Sequence, residues 1–325
     1  MNDINDLRRQ FSIPGVVHIE PGHGGLTRVA IMTEQAEAHV YLHGAHITHY
    51  RPRAGQDVLF LSAKSLFEAG KAIRGGVPVI FPWFGAKADN ATAPAHGFVR
   101  NRPWELRDIQ RSPDGSVALV LELASSADTQ KFWPNEFRLR YTVTVGSSLE
   151  MSLEVRNISH ADFKFESALH TYLAVDDVKK VRIDGLGGRE FLDKTDSTRR
   201  KKEGSEKIAI TGETDRVYLN TNDTVLVHDP DLAREISVEK EGSRATVLWN
   251  PWIAKAKAMA DFGDEEWPEM LCVETANVAE NAVLLPAGQS HRMLARVSWK
   301  PLAEKSGGGS VKQWEMSHGH GAEHS

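Results

Sequence analysis

Apolar and polar residues alternate along much of this chain with a period of two. In FRLRYTVTV, Phe137, Leu139, Tyr141, Val143 and Val145 alternate with Arg138, Arg140, Thr142 and Thr144. After the turn-forming GSS, LEMSLEVRN continues with Leu149, Met151, Leu153 and Val155 in phase. Successive side chains on a strand point to opposite faces, so the pair predicts a β-hairpin with one buried and one wet face. A second hairpin is predicted upstream, from WELRDIQ through the turn SPDG to SVALVLELA, with Val117, Leu119, Leu121 and Leu123 in phase. Further strands are predicted at HVYLHGAHITHY, DVLFLS, FKFESALHTYLAV, EISVEK, RATVLWN, EMLCVE and HRMLARVSW. Helical patterns are few and short, near residues 3–11 and 63–70. Many strands joined by turns, with almost no helix between them, predict an all-β antiparallel sandwich or barrel rather than a βαβ fold.

Composition narrows the picture. A length of 325 residues would allow two domains, but β-rich units often run past ~200 residues as one. No boundary cuts the chain before residue 300, so one β domain over 1–300 is expected. The remainder, 301–325, is rich in Gly, Ser and His and is expected to be a disordered extension. Its HGHGAEH run has no scaffold to arrange metal ligands, and no metal or cofactor is assigned. The run STRRKKEGSEK (197–207) is read as a solvated loop. A formal net charge of −5 argues against broad binding to nucleic acid or to an anionic membrane. There is no long apolar run for a spanning helix, and MNDINDLRRQF is too polar for a secretory signal. A single cysteine, Cys272, precludes an internal disulfide framework. A cytoplasmic, monomeric, globular protein is the expectation.

Several familiar motifs are missing: no GxxxxGK[ST] loop, no strand–GxGxxG–helix unit, no GxSxG elbow and no HExxH. Acid/base chemistry is what remains. In FKFESALHTYLAV, if Phe163, Phe165 and Leu169 set one face, then Glu166, Ala168, His170 and Tyr172 share the other. Imidazole titrates near neutrality, so His170 could both give and take a proton, although most histidines at such positions are structural. In EMLCVETANV, Glu274 is in phase with Met270 and Cys272 on an apolar face. A carboxylate there is either paired, raised in pKa, or simply at a strand end in water. Arginines Arg74 in IRGG and Arg100 in HGFVRN sit beside glycines that let ligand and backbone approach closely. Guanidinium binds phosphate bidentately, yet either arginine could equally be an ordinary surface or salt-bridging one.

Taken together, the segments GAHITHYRP, IRGGVPVIFPWFG, HGFVRN, ALHTYLAV, FLDKTD, LWNPWIAKAKAMADF, LCVETANV and LLPAGQSH, in this order over residues 17–299, resemble one family. It is the hexose-6-phosphate mutarotases, or glucose-6-phosphate 1-epimerases, within the wider aldose 1-epimerase and galactose mutarotase-like group. The resemblance implies a large antiparallel β-sandwich of the supersandwich kind. It implies a hexose phosphate as small-molecule partner, with His170 as general acid and Glu274 as general base. It further implies that Arg74 and Arg100 hold the sugar phosphate, that His96 lines the sugar site, and that Asp193 binds sugar hydroxyls. Some relatives carry glutamine just before HGF where this chain has Ala95, which leaves fine specificity open. Three other readings compete: a mutarotase of unphosphorylated aldoses, a non-catalytic sugar-phosphate-binding protein, and a carbohydrate-binding domain using exposed Trp83 or Trp252.

Overall fold

A computed structural model describes residues 3–204 and 206–302. Its architecture is antiparallel β throughout. The strands Val17–Pro21, Thr27–Met32, Ala36–Tyr41 and His46–Pro52 form a four-stranded meander. Two eight-stranded sheets follow. One, called here the outer sheet, runs in the order Arg182–Asp184, Val225–Asp229, Arg234–Glu241, Ser290–Pro301, Leu149–Asn157, Phe137–Val145, Val117–Ala124, Glu105–Arg111. The other, the site sheet, runs Arg199–Lys202, Glu190–Asp193, Thr214–Leu219, Ala245–Asn250, Met270–Asn277, Ser167–Leu169, Val79–Ile80, with Tyr172–Ala174 also on Met270–Asn277. A two-stranded sheet pairs Phe163–Phe165 with Val283–Leu285, and buried side chains from all four sheets belong to one continuous hydrophobic core.

The period-two reading translates directly into the outer sheet. Phe137–Val145 pairs with Leu149–Asn157 from Phe137 opposite Asn157 to Val145 opposite Leu149. The predicted inward residues Phe137, Leu139, Tyr141, Val143, Leu149, Met151, Leu153 and Val155 are all buried. The upstream hairpin also forms, with a register shift between Leu106 and Asp108 that periodicity does not reveal. The helix Ile4–Phe11 is present, capped by Asp3 and burying Leu7 and Phe11.

Other expectations are corrected. Residues 63–70 are turns rather than helix, since Ser65 and Gly70 punctuate a segment with no completed apolar stripe. Two short helices, Ala127–Gln130 and Trp252–Ala258, arise instead. The basic run is partly structured: Arg199–Lys202 is an edge strand on Glu190–Asp193, with its charges outward as suits an edge. The last strand runs to Pro301, which pairs with Arg234, so the ordered chain extends past residue 300. The rest of the Gly/Ser- and His-rich stretch, including HGHGAEH, lies outside the described residues. Among the described residues no helix is long and apolar enough to cross a membrane.

Candidate active site

The strand Met270–Asn277 is buried along its whole length, and Glu274 in its middle is 1% exposed, so the strand-end alternative is excluded. The neighbouring chain is divided into Ser167–Leu169 and Tyr172–Ala174, yet both halves keep one register. Leu169 lies opposite Thr275 and Tyr172 opposite Cys272, which places His170 opposite Glu274 on the same face. His170 Nε2 is 3.3 Å from Glu274 Oε1. At this point the His170 N–H leaves the strand pairing and donates to the Pro78 carbonyl. The His170 ring is stacked on Tyr172, at 4.7 Å between centroids and 12° between planes, and meets Trp249 edge-on. His170 Nδ1 and Glu274 Oε2 are buried with no hydrogen-bond partner among the described residues. Buried polar atoms are nearly always paired, so two free ones on adjacent side chains suit contact with a bound molecule.

Burial, joined by the charges of Arg100 and Arg74, holds His170 well below the usual imidazole range. Burial, joined by the charge of Asp215, pushes Glu274 well above the usual carboxylate range. Both effects disfavour the charged form, so burial pushes the pair toward a neutral imidazole beside a neutral carboxyl.

Arg74 and Arg100 face this pair from the loops. Gly75 and Gly76 both have positive φ, and a Cβ on Gly76 would lie 2.0 Å from the Ile47 carbonyl oxygen, so only glycine lets the IRGG segment lie against the meander. Arg74 donates to Asp261 from Nε and Nη2 at 3.2 and 3.0 Å and to Tyr172 Oη from Nη1 at 3.2 Å. Burial opposes its charge, yet Tyr172 and Asp261 keep its pKa above the usual value. Arg100 is less well served. It donates from Nη2 to the Ala95 carbonyl at 3.0 Å, and its buried Nε has no partner among the described residues. Burial and the nearby Arg74 charge lower its pKa to about 10. Two guanidiniums, one held by an acid and the other without an ion pair among the described residues, make a site for an anion.

His96 has φ of 63°, a left-handed conformation uncommon outside glycine, and the following Gly97 at 72° packs against the Phe81 carbonyl. This turn sets the His96 ring 5.9 Å from that of His170. Its Nδ1 accepts from the Gly85 N–H at 3.3 Å. Burial, with Arg100 and His170 beside it, keeps it well below the usual imidazole pKa, so the neutral ring presents Nε2–H as a donor.

Asp193 does not join this group. Its carboxylate accepts from the Thr195 N–H and hydroxyl at 3.0 and 2.6 Å and is paired to Lys201 at 2.7 Å. Asp193 pairs with Arg216, and Arg216 with Leu248, a row that faces away from the row of Glu274, Val247 and Val217. The acid on the Glu274 face is Asp215, in the row Asp215–Trp249–Cys272–Tyr172. Sequence reasoning passed over it, although Asp215 is in phase with the buried Val217 and Leu219, the same signal that singled out Glu274. Burial raises the Asp215 pKa against the pull of Lys194 and Lys255. Lys194 lies with its ammonium 4.9 Å from the Phe84 ring centre and also acts electrostatically on His96 and Glu274. The tryptophan reading loses one of its residues. Trp83 is 7% exposed, and Trp252 packs on Trp267 at 4.2 Å.

Comparison with known proteins bears on this arrangement. A protein of Escherichia coli (strain K12), provisionally named a glucose-6-phosphate 1-epimerase, is 38% identical over 290 residues, covering 88% of this chain and 96% of its own. One from Cenchrus ciliaris, with the same provisional name, is 36% identical over 278 residues and covers 83% of each chain. The crystal structure of a provisionally named mutarotase from Salmonella typhimurium superposes with a TM-score of 0.83 at 32% identity, over 92% of this chain and 99% of the other. The sequence model of the family described as aldose 1-epimerase matches residues 28–297, and the chain belongs to that family.

Proposed function

We propose that this protein interconverts the α and β anomers of a hexose 6-phosphate, with glucose 6-phosphate the first candidate. The observation that carries the chemistry is the buried His170–Glu274 pair at 3.3 Å, unsatisfied on both outer atoms. The phosphate reading rests on Arg74 and Arg100, adjacent guanidiniums of which only Arg74 has a carboxylate partner among the described residues. The relatives' names agree with both.

A phosphate placed between the arginines cancels the positive field that depresses His170, so substrate binding itself draws the proton toward the imidazole and leaves Glu274 ionised. Glu274 then takes the O1 proton while His170 gives its own to the ring oxygen, and the C1–O5 bond breaks. The pair is left neutral, the state that burial already favours in the empty site. Rotation about C1–C2 presents the other face of the aldehyde, and the same two groups reverse roles to close the ring. Asp215 and the His96 Nε2–H serve as contacts for sugar hydroxyls, with Asp215 replacing Asp193 in that role.

Magnetisation-exchange NMR of the anomeric protons, run on glucose 6-phosphate and glucose in parallel, tests this reading. Acceleration of the phosphate ester alone is expected. Equal acceleration of both sugars would favour an enzyme of unphosphorylated aldoses, and tight binding without exchange would favour a binding protein.

A further inference from the structure

At the opposite end of the site sheet from Asp215, the outer strand Arg234–Glu241 places Arg234, Ile236, Val238 and Lys240 on one face, the first three buried. Lys240 therefore turns its amine inward, between the two sheets. Nζ donates to the Ala245 carbonyl at 2.9 Å and to Thr246 Oγ1 at 2.6 Å. No carboxylate pairs with it among the described residues; Asp223 acts on it only from a distance and is itself paired with Arg189. Two acceptors match a neutral amine, which donates twice and keeps its lone pair, whereas an ammonium would hold a third N–H without a partner there. Lys240 is also one of the residues lining a cavity of about 730 Å³, together with Asn220, Thr221, Arg244, Asn277 and His291. The Arg244 guanidinium has no ion pair or hydrogen bond among the described residues and supplies a fixed positive charge at its rim.

We propose that Lys240 is a site of reversible carbamylation by carbon dioxide, its carbamate held in this cavity toward Arg244. The amine lone pair forms the new N–C bond, one C=O π bond opens to give the carboxylate, and the nitrogen releases a proton to solvent. The sum is R–NH₂ + CO₂ → R–NH–CO₂⁻ + H⁺. The reaction needs a neutral amine, and burial brings the Lys240 pKa down to about 7. Exposed lysines such as Lys180, whose pKa is raised by Asp231, remain protonated instead. The charged and titratable groups around the amine are Glu241 on its own strand, Arg244 in the next turn, Asp223 and Glu280 from neighbouring loops, and His291 at the start of the last strand. Glu280 is paired with Arg200, and burial lowers the His291 pKa, so neither cancels the Arg244 charge.

The test is to equilibrate the full chain with ¹³C-bicarbonate near neutral pH, trap carbamates with a trialkyloxonium salt, and map them by peptide mass spectrometry. An adduct on Lys240 far above that on Lys64, Lys180 or Lys300 is expected, reduced at least about tenfold in Arg244→Ala, as for loss of a charge-assisted contact. A trapped Lys240 no more modified than those lysines would overturn the proposal. Competitive labelling of the unsubstituted protein with a neutral amine reagent across pH gives a second readout. Lys240 should reach half-reactivity near 7, and titration alongside the exposed lysines near about 10.4 would also overturn it.

Discussion

The two large sheets share one core but treat charge in opposite ways. On the wet face of the outer sheet, charged side chains point to water and answer one another. Glu122 is met by Arg107 and Arg140 at 3.1 and 3.0 Å, and Arg296 meets Glu150 and Glu239 at 2.9 and 3.2 Å. On the site sheet, His170, Glu274 and Asp215 lie on a face largely closed to solvent, and the buried His170 Nδ1 and Glu274 Oε2 are left without partners. Water dissolves the field of the first set, so those pairs are worth about 0–1 kcal/mol each. The second set keeps its field, which moves pKa values and can act on a ligand. In this chain the wet face of the outer sheet thus carries balanced charge, while the face of the site sheet that holds His170 and Glu274 carries unbalanced charge.

Breaking the unbalanced side should have the largest effect. Glu274→Gln and His170→Asn each remove one of the two proposed proton-transfer groups, and anomer exchange should fall by roughly 10²–10⁴-fold. In Glu274→Gln the melting temperature should fall little or rise, because a desolvated carboxyl is replaced by a neutral amide of the same shape. Exchange NMR and a thermal melt on the same samples separate catalysis from folding; full activity in both variants would end the assignment. Next in size is Arg100→Met, which removes a guanidinium while keeping an apolar stem. A charge-assisted contact of roughly 1.5–3 kcal/mol corresponds to a loss of about 10–100-fold in kcat/KM for the phosphate ester. The unphosphorylated sugar should show no comparable loss, because removing the Arg100 charge only eases protonation of His170, and an equal loss for both would remove the arginine from phosphate recognition.

The pH profile sharpens the comparison further. Asp215 raises the Glu274 pKa by like-charge repulsion, second to burial. Substituting Asp215 by Asn removes that repulsion, so the Glu274 pKa drops; with His170 held low and Glu274 held high, it is Glu274 that closes the profile on the alkaline side, and the basic limb of kcat/KM moves to lower pH. A basic limb that stays in place would mean that Asp215 touches only the sugar, or nothing. An Asp193→Asn control should leave the limb where it is, since that carboxylate is already neutralised by Lys201.

The outer sheet was legible in the sequence because one face is wet, so burial writes itself as alternation. The site sheet was harder. Met270–Asn277 is buried on both faces, so Glu274 stood out only by its charge against Met270 and Cys272. The strand before it was visible in phase but not in its break after Leu169, where a carbonyl of Pro78 captures the His170 N–H. Asp193 and Asp215 show the limit most clearly. Both are acids at strand ends, and what separates them is the sheet register, which pairs Asp193 with Arg216 and Asp215 with Trp249. Register is long-range information that a local pattern does not contain.

The smallest expected effect lies on the balanced side. Glu122 is shared by Arg107 and Arg140, and Arg107 also reaches Glu105 at 2.5 Å. Arg140→Ala should cost at most about 1 kcal/mol, because Arg107 still serves Glu122 and both arginines are about half exposed. Anomer exchange should be unchanged. A double-mutant cycle with Glu122→Ala measures the coupling by urea unfolding, and salt should shrink it further by screening. If the coupling instead matched the loss in Arg100→Met, the outer sheet would hold charge as tightly as the site sheet. The contrast between wet, paired charge and buried, unpaired charge would then fail as an account of where this fold places its chemistry.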